Sequence, residues 1–229
     1  MTYCLSDIHG EYDLFMRLLD KIGYEDADTL MVCGDFIDKG TGSLKVAKTL
    51  FDLPNAYCLM GNHEHMFFKF YRARMHSAVM DFDVILRHLQ GYFPKDGALL
   101  DWDMVDRFAE LPAYLEREAF ICVHAGVPLD LHNRLLPLDE ADEEIMIYDR
   151  RFKEPSLLPS DSPCVFFGHT PTVAVSGRDE IIAYPKAPRL AHSPRITDYA
   201  KVHLDTGVTA SGVLGCFCVD TCRVCYVSK

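Results

Sequence analysis

Positive charge is what this sequence has least of. Its 229 residues carry 23 Lys and Arg against 34 Asp and Glu, a formal net charge of −11. That balance excludes the broad basic footprint that grips a nucleic-acid backbone, so no nucleic-acid partner is expected. Long apolar runs are missing too. None approaches the roughly 20 residues a membrane helix needs, and no membrane association is expected. Strand-like sequence starts at once with "TYCLS", which leaves no room for a secretory signal. The nine cysteines are an odd number and sit in apolar stretches such as "FICV" and "PCVFF". They read as reduced, packed thiols, and the expected location is cytoplasmic. There is no internal repeat, low-complexity segment or obvious linker, so residues 1–229 read as a single domain able to bury a sizeable core.

What is present is a rhythm of short apolar run, polar loop and helix-like stretch. "TYCLS" precedes "DIHG", "TLMVC" precedes "GDFIDKG" and "AYCLM" precedes "GNHEH", each followed by helical periodicity. Three such units predict an α/β fold with parallel pairing among those strands. Residues 79–112 read as a variable helical cap broken by "QGYFPKDG". The second half is strand-rich: "AFICV" leads into "HAG", "PCVFF" into "GHTP" and "KVHL" into "DTG". Residues 177–200 read as an exposed loop with at most a short strand at "EIIAY", and the chain ends in a hairpin turning near Asp220 and Thr221.

Each apolar run opens into a loop holding metal-competent side chains: Asp7 and His9, Asp35 and Asp38, Asn62 and His63, His124, and His169. One such loop is an ordinary polar turn. Five in succession are not, because loops beyond the carboxyl ends of parallel strands gather at one edge. A mixed carboxylate, imidazole and amide-oxygen set suits borderline divalent ions such as Mn²⁺, Fe or Zn²⁺. Six donors exceed one open catalytic ion and suit a pair about 3.5–4 Å apart. Cys216, Cys218, Cys222 and Cys225 match a thiol zinc cluster by count, but they alternate with Phe, Val and Tyr and read as packed small hydrophobes. The stripe Phe15, Leu18, Leu19 and Ile22 reads as core. His65, His76, His88, His132 and His192 read as solvated or locally bonded, and "DEADEE" at 139–144 as a solvated face. His203, beside "DTG", is an outside candidate for the site.

"DIHG", "GDFIDKG", "GNHE", "HAG" and "GHT", in this order, resemble the phosphoprotein phosphatase branch of the calcineurin-like metallophosphatases, most closely its compact bacterial and lambda-phage-type serine/threonine protein phosphatases. The resemblance implies a four-layer sandwich: two mixed β-sheets flanked by helices, with the site at the strand-end edge. It implies two divalent metal ions, Mn²⁺ ahead of Fe or Zn²⁺. Asp7 and His9 would hold the first, Asn62, His124 and His169 the second, and Asp35 would bridge them. His63 would be the general acid and Asp38 its orienting partner, with a metal-bridging hydroxide attacking phosphorus directly.

Lys39 departs from the family's usual "GDxxDRG". It keeps the charge but replaces a planar fork with a point donor, so weaker or differently oriented phosphate binding is expected. Arg150 of "IYDRRF" matches the second phosphate-binding arginine, ahead of Arg151. The implied activity is hydrolysis of phosphomonoesters on protein serine, threonine or tyrosine. "GNHE" and Asp38 favour that branch over the symmetrical dinucleoside polyphosphate hydrolases, which tend to carry Asp in place of Glu64. "GTGSLKV" is equally at home in the latter, so a diadenosine tetraphosphate hydrolase is the alternative. A catalytically weak phospho-binding module is the rival of another class. The partner is thus a phosphorylated protein or a small phosphoester, with the oligomeric state open.

Overall fold

The structure is a computed structural model that describes residues 1–75, 81–159, 162–187 and 193–229. Its first strands, β1 (Thr2–Leu5), β2 (Thr29–Val32) and β3 (Ala56–Cys58), pair in parallel. Helices α1 (Tyr12–Ile22) and α2 (Ser43–Asp52) cross between them, and α3 (Asn62–Met75) follows β3. Then come α4 (Phe82–Gln90), α5 (Trp102–Ala109), β4 (Tyr114–Glu116), β5 (Phe120–Val123), α6 (Glu143–Tyr148) and β6 (Cys164–Phe167). Strands β7 (Ile182–Pro185), β8 (Tyr199–His203), β9 (Val213–Cys218) and β10 (Arg223–Ser228) complete the order. Among the described residues the strands make two mixed sheets, β10-β9-β1-β2-β3 and β4-β5-β6-β8-β7.

Strict alternation of side chains across each strand sorts the sequence into three apolar layers. Cys4, Met31 and Cys33 of the first sheet meet Phe120, Cys122, Cys164 and Phe166 of the second, filling the space between the sheets. Their strand neighbours point outward. Leu5, Leu30 and Val32 pack on α1, α2, α4 and α5, while Ile121, Val123, Val165 and Phe167 pack on Met146 and Ile147 of α6. The cysteines follow from this pattern: all nine are free, and seven are buried. Cys216 and Cys225 face each other across the terminal hairpin without a thiol metal cluster among the described residues. That hairpin turns at Asp220 and Thr221, as expected. No helix among the described residues is long and apolar enough to cross a membrane.

Two expectations change. The stretch 79–112, read as a cap, is core where it is described. Ile85, Leu89, Phe93, Leu100, Met104, Val105 and Phe108 share one buried cluster with Leu5, Phe15 and Phe36. The interruption at "QGYFPKDG" disguised helices α4 and α5: α4 packs on α3, and α5 packs on α2 and α3. Residues 79–80 lie outside the described part. The stretch 177–200 is not simply an exposed loop. It contributes edge strand β7, a short 3₁₀ turn at Ile196–Asp198 and the start of β8, and buries Ile181, Ile196 and Tyr199 between the sheets. Residues 188–192 of that stretch, including His192, and also His76, fall outside the described residues.

Phe108 is 1% exposed and lies 5.1–5.9 Å, centroid to centroid, from the rings of Phe36, Phe51 and Phe67. Phe108→Ala is expected to cost about 3–5 kcal/mol of unfolding free energy in urea titration. A loss under about 1 kcal/mol would return the segment to the status of a detachable cap.

Candidate metal centre

Six strands end at one edge, and the residues that leave them build the site. Asp7 follows β1, Asp35 follows β2, Asn62 opens α3 after β3, His124 follows β5, His169 follows β6 and Asp205 follows β8. The backbone there is unusual. Asp7, His9, Asp35, Asp38, Lys39 and His169 all have positive φ, between 49° and 70°. L-residues avoid this region, and such strain persists only where surrounding contacts over-determine it. Of the non-glycine residues with positive φ among those described, only Asn133 and Cys222 lie elsewhere.

Asp35 stands at the centre, 1% exposed, with its two carboxylate oxygens turned to opposite sides. Oδ2 faces His9 Nε2 at 3.7 Å and His63 Nε2 at 3.8 Å, and Oδ1 faces His124 Nε2 at 3.4 Å. Two donor groups therefore share Asp35: one with His9 and His63, the other with His124 and His169. Asp7 Oδ1 adds to the first, 3.7 Å from His9 Nε2. Asn62 Oδ1 adds to the second, 2.7 Å from His169 Nδ1 and 3.1 Å from His124 Nε2.

At His9, His169 and Asp35 the surroundings favour the deprotonated form a cation requires. Burial pushes His9 below the ordinary imidazole value. Burial, with His124 and Arg150 nearby, takes His169 down to about 3. Burial alone would raise Asp35, but the charges of His124, His9 and His63 outweigh it and hold the carboxyl low. His124 Nδ1 lies 2.8 Å from the Cys33 carbonyl, which assigns the proton there and leaves Nε2 as a bare lone pair. That lone pair, Asp35 Oδ1 and Asn62 Oδ1 thus converge as acceptors. Asp7 Oδ1 is buried with no hydrogen-bond partner. Converging acceptors and an orphaned carboxylate oxygen are what divalent ions satisfy, so the residues fit a metal pair.

His63 is placed differently. Its Nδ1 lies 2.8 Å from Asp38 Oδ2, which turns Nε2 towards Asp35. Its side chain keeps 16% exposure, more than His9 or His124. Burial lowers its affinity for a proton, yet the Asp38 hydrogen bond and the Asp35 charge raise it overall. Lys39 reaches inward, Nζ 2.7 Å from His9 Nε2. Arg150 is exposed, close enough to His169 for its charge to be felt, whereas Arg151 is tied to Asp149. The segment after Arg150 is anchored by buried Lys201, whose ammonium donates to the carbonyls of Phe152 and Glu154. His203 does not reach the centre: it stacks on Phe167 and meets the Thr170 carbonyl at 2.6 Å. His65 is locally bonded to Tyr148, and His88 and His132 are exposed.

Sequence reasoning gave Glu64 no structural role, using it only to tell two families apart. It is fully buried and accepts from the backbone N–H groups of Asp35, Phe36, Ile37 and Gly61 at 2.8–3.1 Å. An acid in the first turn of α3 was the available signal. A Cβ on Gly61 would come within 2.6 Å of Glu64 Oε2 and 2.3 Å of Asp35 Oδ1, so only glycine permits the clamp. Asp7 is held by Ser6 Oγ and the His169 N–H on Oδ2, which aims Oδ1 at His9. Asp205 of "DTG" is buried behind it, and burial together with the Asp7 charge raises its carboxyl.

The sequence model of the calcineurin-like phosphoesterases matches residues 2–199. A symmetrical bis(5′-nucleosyl)-tetraphosphatase of Buchnera aphidicola is 31% identical over 134 residues, 55% of this chain and 44% of the relative. The chain thus spans less than half the length of that relative. An asymmetrical bis(5′-nucleosyl)-tetraphosphatase, PrpE, of a Geobacillus species is 23% identical over 240 residues, 93% of this chain and 88% of the relative. Among solved structures, a candidate diadenosine tetraphosphatase superposes with a TM-score of 0.69 at 17% identity, over 99% of this chain and 92% of that chain. A cold-active protein-tyrosine phosphatase of a Shewanella species gives 0.60 at 17% identity, over 99% and 77%. Both likenesses speak for the fold.

Glu64→Gln leaves one acceptor oxygen for four buried N–H donors. It is expected to lower unfolding free energy by about 1–3 kcal/mol, measured in urea with chelator present so that metal linkage does not contribute. A change below about 0.5 kcal/mol would mean the clamp holds nothing.

Proposed function

Because this chain belongs to the calcineurin-like phosphoesterase family, we propose that it is a dinuclear-metal hydrolase acting on a dinucleoside polyphosphate such as diadenosine tetraphosphate. The observation that carries the hydrolase chemistry is Asp35, which offers one oxygen to each of two donor groups beside a histidine–aspartate pair. Relatives named as tetraphosphatases, one aligned over nearly the whole chain, support the substrate class. The features that favoured a protein phosphatase lose their discriminating force. Glu64 is occupied by four backbone N–H groups and cannot meet a substrate, and Asp38 is engaged by His63.

In this reading Asp7, His9, Asp35, Asn62, His124 and His169 hold two divalent ions, with Mn²⁺ the first candidate and Fe or Zn²⁺ the others. Bound ions supply positive charge to the phosphate and a water acidified to near neutral pH. His63 carries the proton for the leaving oxygen on Nε2, and Asp38 fixes the ring through Nδ1 and favours its charged form. Lys39 and Arg150 flank the centre as the cationic contacts for phosphate oxygens. Lys39 offers one point charge where an arginine would offer a fork. An acidic protein can bind a polyanion here because the local charge is reversed by the ions it holds.

The test is phosphate release or nucleotide production from diadenosine tetraphosphate, a phosphopeptide and an aryl phosphate, each with Mn²⁺ added. The tetraphosphate is expected to give the highest kcat/KM, and a phosphopeptide ahead of it would restore the protein phosphatase. His63→Asn is expected to lower turnover about a hundredfold, the low end for losing a general acid. Full activity in that variant would remove His63 from its role. A pH effect follows from Asp38. The Asp38 hydrogen bond and the Asp35 charge raise the affinity of His63 for its proton, so the acid form persists to higher pH than in a free imidazole, and kcat falls as pH rises through that titration. Asp38→Asn is expected to move this fall to lower pH in a kcat profile between about pH 5 and 9. An unmoved basic limb would break the assignment.

A further inference from the structure

The "QGYFPKDG" interruption between α4 and α5 has no part in the metal centre, yet it lies against it. The turn it forms and the N-terminal end of α2 enclose a cavity of about 310 Å³ that opens beside Asp38 and Lys39. Tyr92, Lys95 and Asp96 line one side, and Ser43 with Lys39 the other. The two acids on its wall are already committed. Asp38 binds His63 and its neighbour's N–H, and Asp96 accepts from the backbone N–H groups of Leu44 and Ala98. Asp96 thereby fastens the turn to α2, so the cavity is formed without a ligand. Lys95 is exposed and makes no ion pair or hydrogen bond among the described residues. Tyr92 packs its ring against Phe67, Phe70 and Phe93 at 5.2–5.4 Å, which fixes it, while its hydroxyl bonds to nothing among the described residues. Burial and the charges of Asp38, Glu64 and Asp35 hold that phenol up at about 12, a neutral donor at any working pH.

A cavity with Lys95 unpaired among the described residues, Lys39 on its wall turned towards His9, a rigid phenol donor and its carboxylates bound elsewhere is complementary to an anion that extends beyond the phosphate at the metal centre. Its volume is at the small end of ligand sites, about 300–1,000 Å³, and too small for a folded peptide segment. We infer that this cavity is a second anionic subsite, in which Lys95 and the Tyr92 hydroxyl take the phosphates next along an oligophosphate ester whose attacked phosphorus lies at the metal centre. The inference rests on the dinucleoside polyphosphate reading and adds to it the place where the chain of phosphates runs.

The test is competitive inhibition of aryl phosphate hydrolysis by AMP and by ADP with Mn²⁺ in excess of nucleotide. Diadenosine tetraphosphate cleavage by the unaltered protein is measured alongside. ADP, with one more phosphate, is expected to inhibit about tenfold more tightly than AMP, as one charge-assisted contact gives. Lys95→Ala is expected to remove that advantage, Lys95→Arg to keep it, and Tyr92→Phe to reduce it. Equal inhibition by the two nucleotides in the unaltered protein overturns the subsite, as does an advantage that survives Lys95→Ala. If the ADP advantage is present and lost in Lys95→Ala while the tetraphosphate is not cleaved, the subsite stands and the substrate reading falls.

Discussion

The site depends on one buried carboxylate that never touches the chemistry. Glu64 gathers four backbone N–H groups from the turn after β2 and from Gly61. It holds that turn in a conformation the chain would otherwise leave, with Asp35 and Asp38 at φ of 53° and 69°. A carboxyl in a fully buried place is costly unless each lone pair is satisfied; the four N–H groups meet that need, although burial and the Asp35 charge still push Glu64 up to about 7. The reward is that Asp35 is fixed with one oxygen facing each donor group before any ion binds. The same clamp joins the loop after β2 to the start of α3, so Asn62 and His63 are set by the bond that sets Asp35. Preorganisation of this kind is why the strained residues cluster here rather than along the surface.

Much of this was legible in the residues. Short apolar runs ending in Asp, His or Asn gave the strands, their parallel pairing and the edge where the donors meet, because a strand's carboxyl end and its loop cannot be far apart. The alternation that sorts Cys4, Cys122 and Cys164 to the middle layer, Leu5 to one outer layer and Ile121 and Val165 to the other was hidden, since strands buried on both faces read as unbroken apolar runs. Glu64 was hidden for a different reason: an acid in the first turn of a helix reads as an ordinary helix-start residue, and nothing in the sequence says that it binds the backbone of another loop. The core role of 81–112 was obscured by a turn of Gly, Pro and Lys, which looks like a surface excursion and is one, between two helices that are not.

Charge explains how the architecture would suit the anionic substrate proposed for it. The chain as a whole is acidic, and Asp7, Asp35 and Asp205 lie together behind the catalytic edge. Left alone, such a cluster would repel phosphate. The cations that this chain does spend near the edge are few and placed at its rim: Lys39, Lys95 and Arg150. In the proposed function, discrimination among phosphate compounds would fall to these few side chains and the turn that carries them, with the sheets and clamp holding the metal-competent residues in place.

The contact between Lys39 and His9 makes the two halves of the centre unequal. An ammonium 2.7 Å from His9 Nε2 occupies the very lone pair an incoming cation would need, whereas no lysine or arginine among the described residues bonds to His124 or His169. The protein thus carries a tethered counter-ion on one side only. On the proposed metal pair, an ion held by His9 would have to displace one positive charge with another, and Lys39 would then be free to take a new partner. On that reading, a lysine that looks like a weakened anion grip would also couple the filling of one half of the centre to the reach of its own side chain.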